Sequence, residues 1–193
     1  CQLHCNSILL KYMLNYILGV FGGGKLKNLF LTGKKGVGKS TLLKKALNKL
    51  DVSLGGYTTE RVFEGYYRNY VVKSLCNTNE EYRIIRVDSR DNSKVWFPEV
   101  FEEGLVPLLD KSLSRDLIVL DELGCSENNI LKFTSKVFEL LDSPRIVFGI
   151  LKEDDCEFIN SIKKRKDVKV LKVTEANRDY LLDEILDILK TWI

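Results

Sequence analysis

The chain is short of several residue types, and each shortage excludes something. It has three prolines and thirteen glycines among 193 residues, too few for a collagen-like or linker-like chain. No segment repeats with a period of about 20–50 residues, so a solenoid is excluded. The one histidine, His4, stands beside Cys1 and Cys5. A structural zinc needs four ligands, and no second pair follows. The cysteines are Cys1, Cys5, Cys76, Cys125 and Cys156. Their odd number and irregular spacing argue against a disulfide framework and for a reducing cytosol. Long apolar runs are also missing. Ile8 to Phe21 is apolar apart from Lys11, Asn15 and Gly19. As a helix it would measure about 21 Å, short of a hydrocarbon core of about 30 Å. A basic leader and a small-residue cleavage site are not found, so a secretory signal is not expected. Neither sign of charge dominates. The net charge is +3, from 30 basic and 27 acidic residues. The pI is near 8.5, below the value of about 9 usual for nucleic-acid-binding domains, so there is no strong nucleic-acid signal.

What is present suits one α/β domain. Hydrophobic residues make up 45% and charged residues 30%. A chain of this size buries roughly 70% of its unfolded surface. Residues 1–26 read as an N-terminal helical extension ending in the hinge Gly22-Gly23-Gly24. Its polar positions recur every four residues and leave a broad apolar face. That face is expected to pack on the domain, on a second copy in a homo-oligomer or on a partner protein; lying on a membrane surface is the lesser alternative. Residues 27–193 form the main domain. The run Lys163-Lys164-Arg165-Lys166 reads as a solvated helix face.

The hydrophobic pattern alternates strands with helices. Asn28–Thr32 reads as a buried strand and Lys39–Leu50 as an amphipathic helix. Val52–Thr58 is a strand weakened by Gly55-Gly56. Arg61–Leu75 and Tyr82–Val87, broken at Glu64-Gly65 and Cys76-Asn77, predict a hairpin or small meander. A helix is expected from Pro98 to Lys111, kinked at Pro107. Then come a strand over Asp116–Asp121, a helix over Asn129–Leu141, a strand over Arg145–Leu151, a helix over Asp154–Arg165, a strand over Val168–Val173 and a helix over Arg178–Trp192. This order implies a mostly parallel sheet covered on both faces, with its site at the carboxyl ends of the strands.

The chemistry-bearing segments lie at such ends. Gly33-Lys34-Lys35-Gly36-Val37-Gly38-Lys39-Ser40 fits the Walker A pattern between a strand and a helix. Its glycines let successive backbone N–H groups face a phosphate, and the helix N-terminus adds a favourable dipole. Lys39 is placed to reach the terminal phosphates and Ser40 to hold Mg²⁺. Thr41 completes the phosphate-binding stretch. Asp121-Glu122 closes an apolar strand in the manner of a Walker B segment. Asp121 suits the metal, and a second adjacent carboxylate can orient and deprotonate an attacking water. That pair favours hydrolysis over phosphoryl transfer to a substrate, although a small nucleotide or metabolite kinase and a slow nucleotide-dependent switch remain alternatives. A Leu-Ser-Gly-Gly signature is absent.

These segments resemble the small nucleoside-triphosphatase family first described from thermophiles, also called cancer-related NTPase. The likeness is carried by Leu31–Thr41, by Gly55-Gly56-Tyr57-Thr58-Thr59-Glu60-Arg61, by Asp116–Gly124 and by Val173-Thr174-Glu175-Ala176-Asn177-Arg178-Asp179. Phe101-Glu102 and Phe133 also fall where the family has them. The resemblance implies a RecA-like fold and Mg²⁺-dependent hydrolysis of ATP, GTP and other nucleoside triphosphates. The family's Lys-Met-Glu after the acid pair is here Cys125-Ser126-Glu127, which keeps the acid and loses the lysine. Arg61, near the strand rim, is a candidate for meeting transition-state charge, and Arg178 for stacking on the base. In a RecA-like sheet the Asn28–Thr32 strand is expected to be central. A further strand should separate it from the strand that bears Asp121-Glu122.

Overall fold

The computed structural model describes residues 26–77 and 79–193. The expected helical extension and its glycine hinge, Leu26 apart, lie outside the described residues, as do Cys1, His4 and Cys5. The main domain holds eight strands and five helices among the described residues. In chain order they are β1 (Asn28–Thr32), α1 (Lys39–Leu47), β2 (Leu54–Glu64), β3 (Tyr67–Ser74), β4 (Glu81–Asp88) and β5 (Lys94–Trp96). There follow α2 (Val106–Ser112), β6 (Leu117–Leu123), α3 (Leu131–Asp142), β7 (Ile146–Leu151), α4 (Glu157–Lys163), β8 (Val168–Lys172) and α5 (Leu181–Trp192).

All eight strands form one sheet in the order β5-β4-β3-β2-β6-β7-β1-β8. The five strands from β2 to β8 in that order pair in parallel. The other three extend the sheet as an antiparallel meander on β2. β7 lies between β1 and β6, as expected for a RecA-like arrangement. β1 is not central, however. The meander adds three strands on the β2 side, while β8 alone lies beyond β1. β2 also runs six residues past the expected Thr58, because pairing with β3 holds it extended as far as Glu64.

Strand alternation divides the apolar residues between two layers. Leu29 and Leu31 of β1, with Leu117 and Val119 of β6, pack under α1 and α5. Phe30, Ile118 and Leu120 face the other way, under α2, α3 and α4. Helix α5 presents Leu181, Ile185, Leu186 and Leu189 to its layer. Each such burial contributes about 1.5–3 kcal/mol, so a charge at Ile185 would undo the helix's docking.

The helix expected from Pro98 is broken. A five-residue π turn, Phe101–Leu105, ends with Val106 N–H donating to Phe101 O, and Pro107 then falls in the first turn of α2. The widened turn hands over to α2 at a first-turn position, where the missing N–H of Pro107 costs nothing. One expectation from composition is overturned. Cys125 and Cys156 form a disulfide across 31 residues, leaving Cys76 free among the described residues. The turn after β6 and the start of α4 after β7 meet because β6 and β7 are neighbours. Sequence spacing does not encode that proximity.

Candidate active site

The phosphate-binding loop links β1 to α1 and lies at the carboxyl end of the parallel strands. Gly33 takes φ +140°, and a Cβ there would stand 2.3 Å from the Val173 carbonyl oxygen. Only glycine lets the loop turn this close to the strand end. Gly38 caps α1 in the left-handed region. Lys39, 8% exposed, donates to Gly33 O at 2.6 Å and Lys34 O at 3.0 Å. Its ammonium is thereby folded back over the loop whose amides it would assist.

Ser40 Oγ donates to Asp121 Oδ1 at 3.2 Å, joining the first turn of α1 to the end of β6. Asp121 is 2% exposed, and its Oδ2 is buried without a hydrogen-bond partner. Burial, with the neighbouring Glu122 charge adding to it, raises the Asp121 carboxyl from 3.8 to about 6. The Ser40 hydrogen bond and the Lys44 and Lys39 charges act against that rise. Such an orphaned carboxylate oxygen beside a hydroxyl fits a hard divalent cation. Mg²⁺ is usually held by one or two protein oxygens together with substrate phosphates. Among the described residues no group of three or more His, Cys, Asp or Glu could hold a metal on its own. The donor set therefore suits a cation that arrives with a phosphate ligand.

Glu122 has a side chain one-third exposed, and its Oε1 lies 3.4 Å from Lys152 Nζ. Lys152 follows β7, and its N–H donates to Leu123 O at 2.9 Å. Strand order places it in the crevice between the phosphate loop and the acid pair. Glu127, buried, accepts from Gly124 N–H at 2.8 Å and fixes the turn after β6. Burial raises the Glu127 carboxyl, and Lys152 offsets part of that. The Thr59 hydroxyl donates to the Asp121 carbonyl at 2.7 Å. Beneath lies Tyr57, whose phenol is raised by burial and then by the charges of Glu127, Asp121 and Glu122.

Beside the loop is a cleft of about 340 Å³ lined by Gly36, Gly38, Thr41, Leu42, Lys45 and Arg178. Arg178 does not begin the last helix as expected; α5 starts at Leu181. The Asn177 side chain accepts from Thr174 N–H at 2.8 Å and donates to Lys172 O at 2.8 Å, tying Arg178 into a turn. The Arg178 side chain lies 3.9 Å from where a Cβ on Gly38 would stand. Arg61 lies on β2. It stands opposite Tyr70 and alternates with Glu60, whose carboxylate holds Lys44 of α1 at 2.9 Å. Arg61 therefore points to the sheet face away from α1. The structure brings Ser40 to Asp121, with Glu122 next in the chain, and sets Arg178 beside Gly38, while Arg61 lies further along β2 on the face that also carries Tyr57 and Thr59. Sequence reasoning missed Lys152, Thr59 and the anchoring role of Asn177. Lys152 carries no motif and reaches the site only through strand order.

Comparison with known proteins agrees with this geometry. The sequence signature of the NTPase family matches residues 28–186. The nucleoside-triphosphatase THEP1 of Thermotoga maritima is 36% identical over 167 residues, covering 84% of this chain and 95% of its own. The cancer-related nucleoside-triphosphatase of Homo sapiens is 31% identical over 180 residues, covering 83% and 95%. The crystal structure of THEP1 from Aquifex aeolicus superposes with a TM-score of 0.70 at 23% identity, over 84% of this chain and 99% of that one, and speaks for the shared P-loop NTPase fold. With the signature spanning the whole sheet and the phosphate loop, the chain belongs to the NTPase family.

Proposed function

We propose that this NTPase-family enzyme hydrolyses nucleoside 5′-triphosphates to diphosphate and phosphate, with Mg²⁺ required and little selection among bases. The carrying observation is the Ser40–Asp121 pair at 3.2 Å, with one Asp121 oxygen buried and unpartnered and Glu122 next to it. The relatives named nucleoside-triphosphatases support the reaction class. Lys39 and the backbone N–H groups from Gly33 to Thr41 bind the β- and γ-phosphates. Ser40 and Asp121 would hold Mg²⁺, which when bound neutralises charge on the phosphate oxygens. Glu122 orients a water and takes its proton as the water oxygen bonds to the γ-phosphorus and the β–γ bridging bond breaks. Arg178 stacks its planar guanidinium on whichever base enters the cleft and reads no base edge. Among the described residues no helix is long and apolar enough to cross a membrane. A cytoplasmic setting, with the Cys125–Cys156 pair subject to a reducing thiol pool, completes the proposal.

The test is phosphate release from ATP, GTP, CTP and UTP, each with and without Mg²⁺. Release without any phosphoryl acceptor, abolished by chelation and similar across the four, is the expected result. A strict need for an acceptor would replace hydrolysis with a kinase reaction. A preference of about a thousandfold or more for one base would overturn the stacking role of Arg178.

A further inference from the structure

The meander carries rings and cations that the nucleotide site does not use. Strand register places Phe63, Arg68 and Lys94 in one row across the sheet, and Arg61, Tyr70 and Trp96 in the next. Residues directly opposite one another share a face, so all six lie on one side. Neither row contains a carboxylate. The acids of these strands alternate to the other side: Glu60, Glu64 and Asp88 all fall on the opposite face. The ion pairs involve that face's acids: Lys73 with Glu60 at 3.1 Å, Arg83 with Glu64 at 3.2 Å and Arg90 with Asp88 at 2.6 Å. Among the described residues Arg61, Arg68 and Lys94 make no ion pair, and Arg68 Nε is buried without a partner. Phe63 is 69% exposed and Trp96 40%. The net charge of the chain conceals this arrangement, because the acids cancel the cations in number while standing on the other side of the sheet.

We propose that this face of the β2–β5 sheet binds single-stranded nucleic acid, its rings stacking on bases and its three unpaired cations meeting phosphates. The chemistry favours this occupant. An exposed ring accepts any base by its flat face, and Arg and Lys beside it suit a backbone of anions. Four adjacent strands span roughly 14 Å, the width on which four-stranded sheets stack two or three bases. A duplex hides its base faces and would gain nothing from Phe63. The site is separate from the phosphate loop, so the proposal stands or falls independently of the hydrolytic reading.

The experiment is a titration of the full chain with fluorescent oligo(dT) and oligo(U) at several salt concentrations, without nucleotide. Binding is expected at about 50 mM salt, with log K falling against log[salt] at a slope near −2, as about 0.7 per neutralised phosphate gives for three cations. Phe63→Ala should weaken binding at least about fivefold at every salt concentration. Arg68→Ala and Lys94→Ala should each reduce the slope by about 0.7. Arg83→Ala, on the opposite face, should leave binding unchanged, and Phe63→Ala should leave nucleotide hydrolysis unchanged. Absence of binding at low salt overturns the proposal. So does binding that Phe63→Ala and Arg68→Ala both leave intact, or equal competition by inorganic polyphosphate or by duplex DNA, either of which would show that charge alone is read.

Discussion

Replacing Asp121 by Asn should stabilise the metal-free protein at neutral pH while abolishing its Mg²⁺-dependent turnover. Asp121 is almost fully buried, has one oxygen without a partner and titrates at about 6 in place of 3.8. Because the folded-state value lies above the unfolded one, the native state binds the extra proton between about pH 4 and 6. Stability therefore falls as pH rises through that window and stays lower above it. The displacement corresponds to about 3 kcal/mol at pH 8. Asparagine removes the ionisation but leaves an amide to be buried in its place, which returns about 1–2 kcal/mol. The net gain expected for Asp121→Asn in chelator at pH 8 is about 1–2 kcal/mol. In a chain of this size that is a rise in Tm of about 2–8 °C. The gain should vanish near pH 5 and become a loss of about 1 kcal/mol by pH 4, where the wild-type carboxyl is already protonated and only the amide's burial cost remains. Adding Mg²⁺ with a nucleotide should reverse the order, since only the wild type offers the carboxylate. Urea melts of both proteins at three pH values, with chelator and with Mg²⁺-nucleotide, measure all of this. An Asn variant less stable than the parent at pH 8 in chelator, or a difference that does not change between pH 8 and pH 4, would refute the reasoning.

Four further outcomes are expected. Glu122→Gln should bind nucleotide near the parent affinity and turn over at least about a hundredfold more slowly, checked by paired binding and phosphate-release assays. Lys39→Ala should lose nucleotide binding, because the ammonium that now spans Gly33 O and Lys34 O is removed; isothermal titration shows it. Ser40→Ala should raise the Mg²⁺ concentration needed for half-maximal rate more than it weakens binding of metal-free nucleotide. Gly56→Ala should destabilise the fold by at least about 2 kcal/mol in denaturant melts, since φ there is +81° and the added Cβ would stand 1.9 Å from Val119 O.

Local features were legible in the sequence where one segment carries the whole signal. The strand–loop–helix around Gly33–Ser40 and the apolar run ending at Asp121-Glu122 announce themselves, and the structure joins them by a single hydrogen bond. The meander and its two breaks were also legible, because Glu64-Gly65 and Cys76-Asn77 punctuate runs of β-branched and aromatic residues. What could not be read depends on which strands become neighbours. Lys152 and the Cys125–Cys156 pair come together through the β6–β7 pairing, which no local pattern specifies. The face Arg61 takes is likewise set by pairing: it alternates with Glu60, which meets Lys44 of α1, and shares its face of β2 with Tyr57 and Thr59. The start of α5 was misplaced for a similar reason: Asn177 spends its amide on Thr174 and Lys172, so the chain turns before it coils.

The eight strands also differ in how far the chain must travel to form them. β2, β3 and β4 pair with their immediate successors, so the meander can close from a short stretch of chain. β1 has no such partner nearby: Asn28 pairs with Val147 on one side and with Val168 on the other. Long-range parallel pairing is slow, because the loop must be closed before any contact rewards it. During synthesis the phosphate loop therefore emerges early, on a strand that waits for β7 and β8 to flank it. A ribosome-bound chain halted after β6 would carry every residue of both nucleotide motifs and still lack the neighbours that hold them in place. Nucleotide competence should arise only once β7 and β8 have been made, whereas the meander's antiparallel pairs need only β2 to β5.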